Sequence, residues 1–213
     1  MACIFLLSLY ALALIFIYAH TIKKKLKMQL KKTKEKILLH VCCAPCSTHA
    51  ISALLAEYEI TLFFYNPNIE PKEEYSRRLC EAKKYAEIAK TRLIIGEYDN
   101  SDWHNCIKGY ENENENSIRC RKCYEFRLNK TAKTAKENDF SIFATTLTIS
   151  PHKDHNEINK AGNSAALKYG IGCLKTNFKK NNGFLNSIIH SKKHNLYRQN
   201  YCGCRYSNNK ITK

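Results

Sequence analysis

Ile37-Leu38-Leu39-His40-Val41-Cys42-Cys43-Ala44-Pro45-Cys46 is the stretch whose reading decides the fold. The apolar run 37–41 has the length and continuity of a strand buried on both faces, as parallel sheets require. Neighbouring cysteines cannot both point into a core from a regular strand, so one of Cys42 and Cys43 sits in a turn. Pro45 suits a first helical turn, and residues 47–58 read as the helix that follows. Strand, turn and helix in this order open a βα unit.

The same alternation continues outward. Residues 60–65 form a second apolar run, closed by the turn Asn66-Pro67-Asn68. Residues 71–90 read as a long charged helix, with Pro71, Glu73 and Glu74 at its start. A strand over 92–95, a short helix over 102–110 and an acidic, Asn-rich loop over 111–117 come next. A helix carrying Cys120 and Cys123 runs to about residue 138. A fourth strand over 140–144, a helix over 154–169, a fifth strand over 171–174 and a helix over 183–194 lead into a cysteine-bearing tail. The pattern predicts one α/β domain over 37–213, a parallel sheet with helices on both faces and no internal repeat.

Residues 1–36 are a separate problem. The stretch 1–19 is uncharged and almost wholly apolar, and a lysine-rich run follows from Lys23 to Lys36. It lacks the basic start of a secretory signal. If it inserts in a membrane, the lysines hold its C-terminal side in the cytoplasm, and contact with the membrane depends on residues 1–20 being translated. Alternatively the chain starts at Met28, or the segment is a helix with some other role. The remainder is expected to be cytoplasmic on any of these readings.

Lysine and arginine exceed aspartate and glutamate by 16 charges. Such an excess suits a polyanionic partner, nucleic acid or an anionic membrane, although a Lys- and Asn-rich codon usage produces part of it. Eleven cysteines in 213 residues exceed what packing needs. A chain that can bury a core has no need of a disulfide framework. The spacings Cys42-Cys43-x-x-Cys46, Cys120-x-x-Cys123 and Cys202-x-Cys204 are those of metal and redox chemistry in a reducing compartment. Cys3, Cys80, Cys106 and Cys173 stand singly and read as structural.

In an open α/β sheet, ligands collect past the carboxyl ends of the strands, where Cys42, Cys43 and Cys46 fall at a helix start that favours thiolate. Cys120 and Cys123 share one side of a helix, with Arg119, Arg121, Lys122 and Arg127 nearby. Together the two sets offer enough thiolates for a tetrahedral zinc or a [4Fe-4S] cluster. Gly203 permits a tight, strained disulfide between Cys202 and Cys204, labile or catalytic; a second metal-ligand pair is the alternative. Residues 145–154, Thr-Thr-Leu-Thr-Ile-Ser-Pro-His-Lys-Asp, gather hydroxyls, an imidazole, a cation and a carboxylate after the fourth strand. They suit phosphate binding or proton donation, or simply a helix start capped by Ser150 and Asp154.

These segments, with Phe64-Tyr65-Asn66-Pro67-Asn68-Ile69 and Leu196-Tyr197-Arg198-Gln199-x-Tyr201-Cys202-Gly203-Cys204, together resemble the QueH-type, cobalamin-independent epoxyqueuosine reductases. The resemblance runs from about Ile37 to Ser207. It implies a single three-layer domain similar to the PP-loop, adenine nucleotide alpha hydrolase-like fold. No Ser-Gly-Gly-type loop is present, so ATP use is not expected. It implies an oxidoreductase that reduces the epoxide of epoxyqueuosine to queuosine at the tRNA wobble position, the last step of queuosine biosynthesis, with an electron donor the sequence does not identify. It implies a [4Fe-4S] cluster on Cys42, Cys43, Cys120 and Cys123, an additional iron near Cys46, and a redox-active pair, Cys202 and Cys204. His152, Lys153 and Asp154 are then candidate proton donors, and Arg77, Arg78, Arg119, Arg121, Lys179 and Lys180 candidate contacts to tRNA. The main rival is a zinc-bound, non-catalytic tRNA-binding module. A PP-loop tRNA thiolation enzyme lacks its ATP loop here, and a membrane-tethered metal or thiol carrier depends on the first 20 residues.

Overall fold

The computed structural model describes Tyr18, His20 and residues 34–208. The chain divides into two units, Met1–Lys34 and Glu35–Lys213, and the second is treated below. The apolar segment expected over 1–19 lies outside the described residues apart from Tyr18. Among the described residues no helix is long and apolar enough to cross a membrane.

The elements are β1 (Glu35–Val41), α1 (Ala44–Leu54), β2 (Tyr58–Phe64), α2 (Lys72–Ile88), β3 (Arg92–Ile95), α3 (Asn100–Cys106), α4 (Ile118–Glu137), β4 (Ile142–Thr145), a 3-10 turn (Thr146–Ile149), α5 (His155–Tyr169), β5 (Gly172–Cys173), α6 (Gly183–Lys193) and α7 (Arg205–Asn208). The strands form one parallel sheet in the order β3-β2-β1-β4-β5. The α/β class and the all-parallel sheet are as the alternation predicts.

Central β1 explains the layering. Ile37, Leu39 and Val41 point to one face, against Ala50, Ile51 and Leu54 of α1 and Tyr85 and Ala86 of α2. Leu38 points to the other, in a core with Leu128, Ala132 and Ala135 of α4 and Ile158 and Ala165 of α5. Each of these aliphatic side chains on β1 is fully buried, contributing about 2 kcal/mol relative to exposure.

Several boundaries shift. The first helix spans Ala44–Leu54 rather than 47–58, because Cys43 is already its extended N-cap and Pro45 sits in its first turn. Tyr58 instead begins β2, paired with Glu35. The fourth strand spans Ile142–Thr145 rather than 140–144; Phe140 instead closes the end of α4, its N–H bonding Ala135 O. The loop expected after β4 begins as a 3-10 turn, capped by the Thr145 hydroxyl accepting from Leu147 N.

The chain leaves β1 toward β2 and β3, then returns on the other side to β4 and β5. This reversal opens a crevice past the ends of β1 and β4, the usual ligand position in doubly wound sheets. Cys42 follows β1 and Thr146 follows β4.

Candidate metal and redox site

At the end of β1 the sulfurs of Cys42, Cys43 and Cys46 lie within 4.8 Å of one another, and among the described residues they form the one group of three or more candidate metal donors at that spacing. Cys42 Sγ and Cys43 Sγ are 3.9 Å apart. Thr146 clamps Cys42 from β4's side: its hydroxyl accepts from Cys42 N at 3.1 Å and donates to Cys42 Sγ at 3.3 Å. Gln199, from the tail, donates to Cys43 Sγ at 2.9 Å.

The three thiols govern one another's ionisation. Hydrogen bonds with Cys43 and Cys46, then with Thr146, and the Arg127 charge hold the Cys42 thiol well below its ordinary range despite burial. The same bond to Cys42 pushes Cys43 up to about 12, and Cys46 is raised for the same reason. A metal supplies the positive charge needed for all three to ionise, so the donor set fits a thiophilic metal.

The floor beneath the trio is fixed by His40, fully buried on β1. Its Nε2 is 3.0 Å from Tyr65 O and its Nδ1 is 2.8 Å from Thr145 Oγ1. The carbonyl can only accept, so Nε2 carries the proton and Nδ1 accepts from Thr145. Burial, reinforced by the Arg127 charge, lowers His40 to about 3, which keeps it neutral. Asn66 ties Arg127 to the strand: its amide donates to Val41 O at 2.9 Å and its carbonyl accepts from Arg127 Nη2. Arg127 is 2 % exposed, and among the described residues its Nε has no hydrogen-bond partner.

The tail closes the crevice. Buried Arg78 is ion-paired with Glu74 at 2.7 Å and donates to the carbonyls of Cys202 and Tyr201. Glu70 N donates to Gly203 O at 2.8 Å, and Tyr201 OH donates to Glu70 O. Gly203 has φ +108, and a Cβ there would stand 2.9 Å from both Arg78 Nη1 and Ile69 Cγ1, so any other residue is strained and displaces those side chains. The flanking thiols are free and differently housed. Cys202 lines the cleft and accepts from Lys153 Nζ at 3.1 Å. Cys204 is buried with Trp103, Ile107 and Cys123. Burial alone raises both thiols; the Lys153 ammonium overcomes it at Cys202 and lowers it, while Cys204 is pushed up to about 12.

The result is a cleft of about 500 Å³ lined by Cys42, Cys46 and Cys202, by Arg78, Arg127, Lys153 and Arg198, and by one carboxylate, Glu115. Thiols, cations and a buried guanidinium with an open N–H bond direction suit a metal together with an anionic, polar substrate.

A family model described as epoxyqueuosine reductase QueH matches residues 37–210. The chain belongs to the QueH family. A QueH of Histophilus somni is 42% identical over 183 residues, covering 85% of this chain and 75% of that protein. A QueH of Streptococcus pyogenes is 40% identical, covering 83% and 72%, and one of Thermotoga maritima is 36% identical, covering 80% and 89%. All three are named epoxyqueuosine reductase.

Within this QueH chain the sequence-predicted residues separate. Cys42, Cys43 and Cys46 come together. Cys120, half-buried, accepts from Asn116 N at 3.2 Å and packs against the same core as Cys42; Cys123 joins Cys204 around Trp103. Neither belongs to the tight trio. His152 lines the cleft, and its carbonyl accepts from Asn116 Nδ2 at 2.7 Å. Asp154 is absent from the lining and caps α5, accepting from Asn156 N at 2.8 Å. Arg78 and Arg119 are buried rather than presented to tRNA: Arg78 holds the tail, and Arg119 bonds the carbonyls of Glu111 and Glu113. Arg77 stays exposed with its guanidinium 3.5 Å from the centre of the Tyr197 ring; Arg121 pairs with Glu157. Sequence reasoning gave no role to Glu115 or Gln199. Nothing local marks Glu115 within its acidic run, and only the match to the family's tail motif pointed near Gln199.

Proposed function

We propose that this chain reduces the epoxide of epoxyqueuosine to queuosine in tRNA. The observation that carries this reading is the meeting, in one cleft, of Cys42 and Cys46 from a three-cysteine donor group with a separate cysteine paired with a lysine. Membership of the QueH family supports it, since the named relatives are epoxyqueuosine reductases.

We assign a [4Fe-4S] cluster to Cys42, Cys43, Cys120 and Cys123, with Cys46 free to hold an additional iron. The close trio, the shared packing of Cys42 and Cys120, and the Arg127 charge beside them support the assignment. When bound, such a cluster supplies electrons singly and its iron polarises oxygen. Thr146, Gln199 and Arg127 orient the sulfurs and compensate their charge. Cys202 and Cys204 are the two-electron store, and Gly203 gives their backbone the required turn. His152 borders the entrance, where it meets the substrate, while Asp154 fixes the loop through its cap.

The modified base sits in a single-stranded anticodon loop, from which it can be extruded into a pocket. The stem phosphates meet the basic exterior, to which Arg77, Lys179 and Lys180 contribute. The protein works in the cytoplasm, where its substrate is and where thiols stay reduced.

The test is anaerobic purification, iron and sulfide analysis, then incubation of the dithionite-reduced protein with epoxyqueuosine-containing tRNA. Bound iron and sulfide with conversion of the nucleoside to queuosine is the expected result. A zinc protein that binds tRNA and leaves the epoxide intact would replace this reading with the non-catalytic module.

A further inference from the structure

Epoxide reduction consumes two electrons and two protons, and the tail pair as a dithiol is short of one proton when one member rests as a thiolate. The side chain closest to that thiolate is a lysine. Lys153 Nζ lies 3.1 Å from Cys202 Sγ, and both residues line the cleft. Among the described residues Lys153 makes no ion pair with a carboxylate; its other close partner is the Tyr124 ring, 5.7 Å away. Its own carbonyl accepts from Lys179 Nζ at 2.8 Å, which pins the loop. Cys204, one residue beyond Gly203, is buried in the cluster around Trp103.

We propose that Lys153, Cys202 and Cys204 form one reducing unit in which Lys153 is a proton donor to the departing oxygen. The proposal rests on the epoxide-reductase reading and on the redox role of the pair. Closing the disulfide joins the Cys202 thiolate to Cys204, breaks the Cys204 S–H bond, and releases two electrons and one proton. The anion that held the Lys153 ammonium is then gone, so Lys153 breaks an N–H bond and releases the second proton. The epoxide takes up both electrons and both protons; its two C–O bonds break, a C=C bond forms, and the oxygen leaves as water. Electrons, protons and charge all balance.

The electrostatics agree with this placement. Burial opposes the Lys153 ammonium, yet the Cys202 thiolate overrides it and raises Lys153 well above its ordinary range. The other titratable groups facing the pair are Cys120, Tyr124 and Arg127 of α4 and Glu115 of the loop before it. Arg127 also favours the Cys202 thiolate and Glu115 opposes it, but Lys153 is the stronger influence. Removal of the thiolate by oxidation leaves a buried ammonium without its partner anion, and burial alone favours loss of its proton.

Two substitutions separate the two halves of the idea. Arginine keeps the positive charge but does not give up a proton, whereas methionine keeps neither. Reduced, iron-loaded wild type, Lys153→Arg and Lys153→Met are compared by Cys202 alkylation with iodoacetamide at pH 7, mapped by peptide mass spectrometry, and by single-turnover epoxide reduction. Circular dichroism and iron content verify that each variant is intact. Expected are fast alkylation in wild type and Lys153→Arg, and alkylation about tenfold slower in Lys153→Met. Single turnover should fall about a hundredfold in both variants. Wild-type alkylation in Lys153→Met would overturn the ion pair, and wild-type turnover in Lys153→Arg would overturn proton donation. Wild-type protein that leaves the epoxide intact, while its alkylation still depends on residue 153, would instead overturn the functional reading beneath the proposal.

Discussion

The two cysteine sets of this QueH chain are built in opposite ways. Cys42, Cys43 and Cys46 are placed by backbone: a central strand paired on both sides and the helix that leaves it. Cys202 and Cys204 lie on an irregular tail held by side chains, chiefly Arg78, Tyr201 and the small size of Gly203. In the first set the sulfurs govern one another's ionisation; in the second a lysine favours the thiolate on one sulfur. A site proposed to hold a metal gains from a rigid, contiguous frame. A pair proposed to open and close a bond gains from unequal partners.

The largest effect should come from the first set. Cys42→Ser removes the thiolate that organises the trio, and bound iron and turnover should both fall to background. Cys202→Ser should abolish turnover yet keep its iron. If Cys202→Ser loses iron as completely as Cys42→Ser, metal analysis will have shown that the two sets are one.

Arg78→Met strikes the second set alone. It leaves Glu74 in a largely buried position without its cation and releases two tail carbonyls. Unfolding in urea should show a loss of about 3 kcal/mol, with iron content retained. An unchanged midpoint would mean that the tail is anchored elsewhere.

Acid should weaken the first set through His40. Its folded pKa is about 3, against roughly 6.5 unfolded. Between those values the unfolded chain binds the extra proton, so stability rises with pH across the window and is lost as pH falls through it. From pH 7 to pH 5 the loss should be about 2 kcal/mol in urea titrations. His40→Gln, which cannot titrate, should lack this component; an identical slope in both would remove His40 from the account. Gly203→Ala should have the smallest effect on stability, about 1–2 kcal/mol from the positive φ and the contact with Arg78 and Ile69, while slowing closure of the disulfide.

What the sequence shows and hides divides along the same line. β1 and β2 are contiguous apolar runs, and the cysteine spacing beside them is visible without a structure. The grouping of the trio is therefore legible as a spacing, whereas the contacts of Thr146 and Gln199 to its sulfurs are not. The first helix was placed too late because the turn at Cys43 is tighter than the pattern suggests. The second set was legible only as a spacing. The bond from Lys153 crosses 49 residues, that from Arg127 to Asn66 crosses 61, and the grip of Arg78 on the tail crosses more than 120. Such contacts are made by packing, and no local periodicity encodes them. The same holds for Arg78 and Arg119, which look like surface cations in the sequence and are buried in the fold.

Gln199 adds a consequence in time. Its bond to Cys43 spans 156 residues, so on a chain emerging from the ribosome the strand and helix that carry the trio exist long before their last contact does. The sulfurs stay open to delivery of a metal throughout that interval. Completion of the final segment then covers Cys43 and finishes the wall of the cleft, and a chain stalled short of residue 199 would lack that cover.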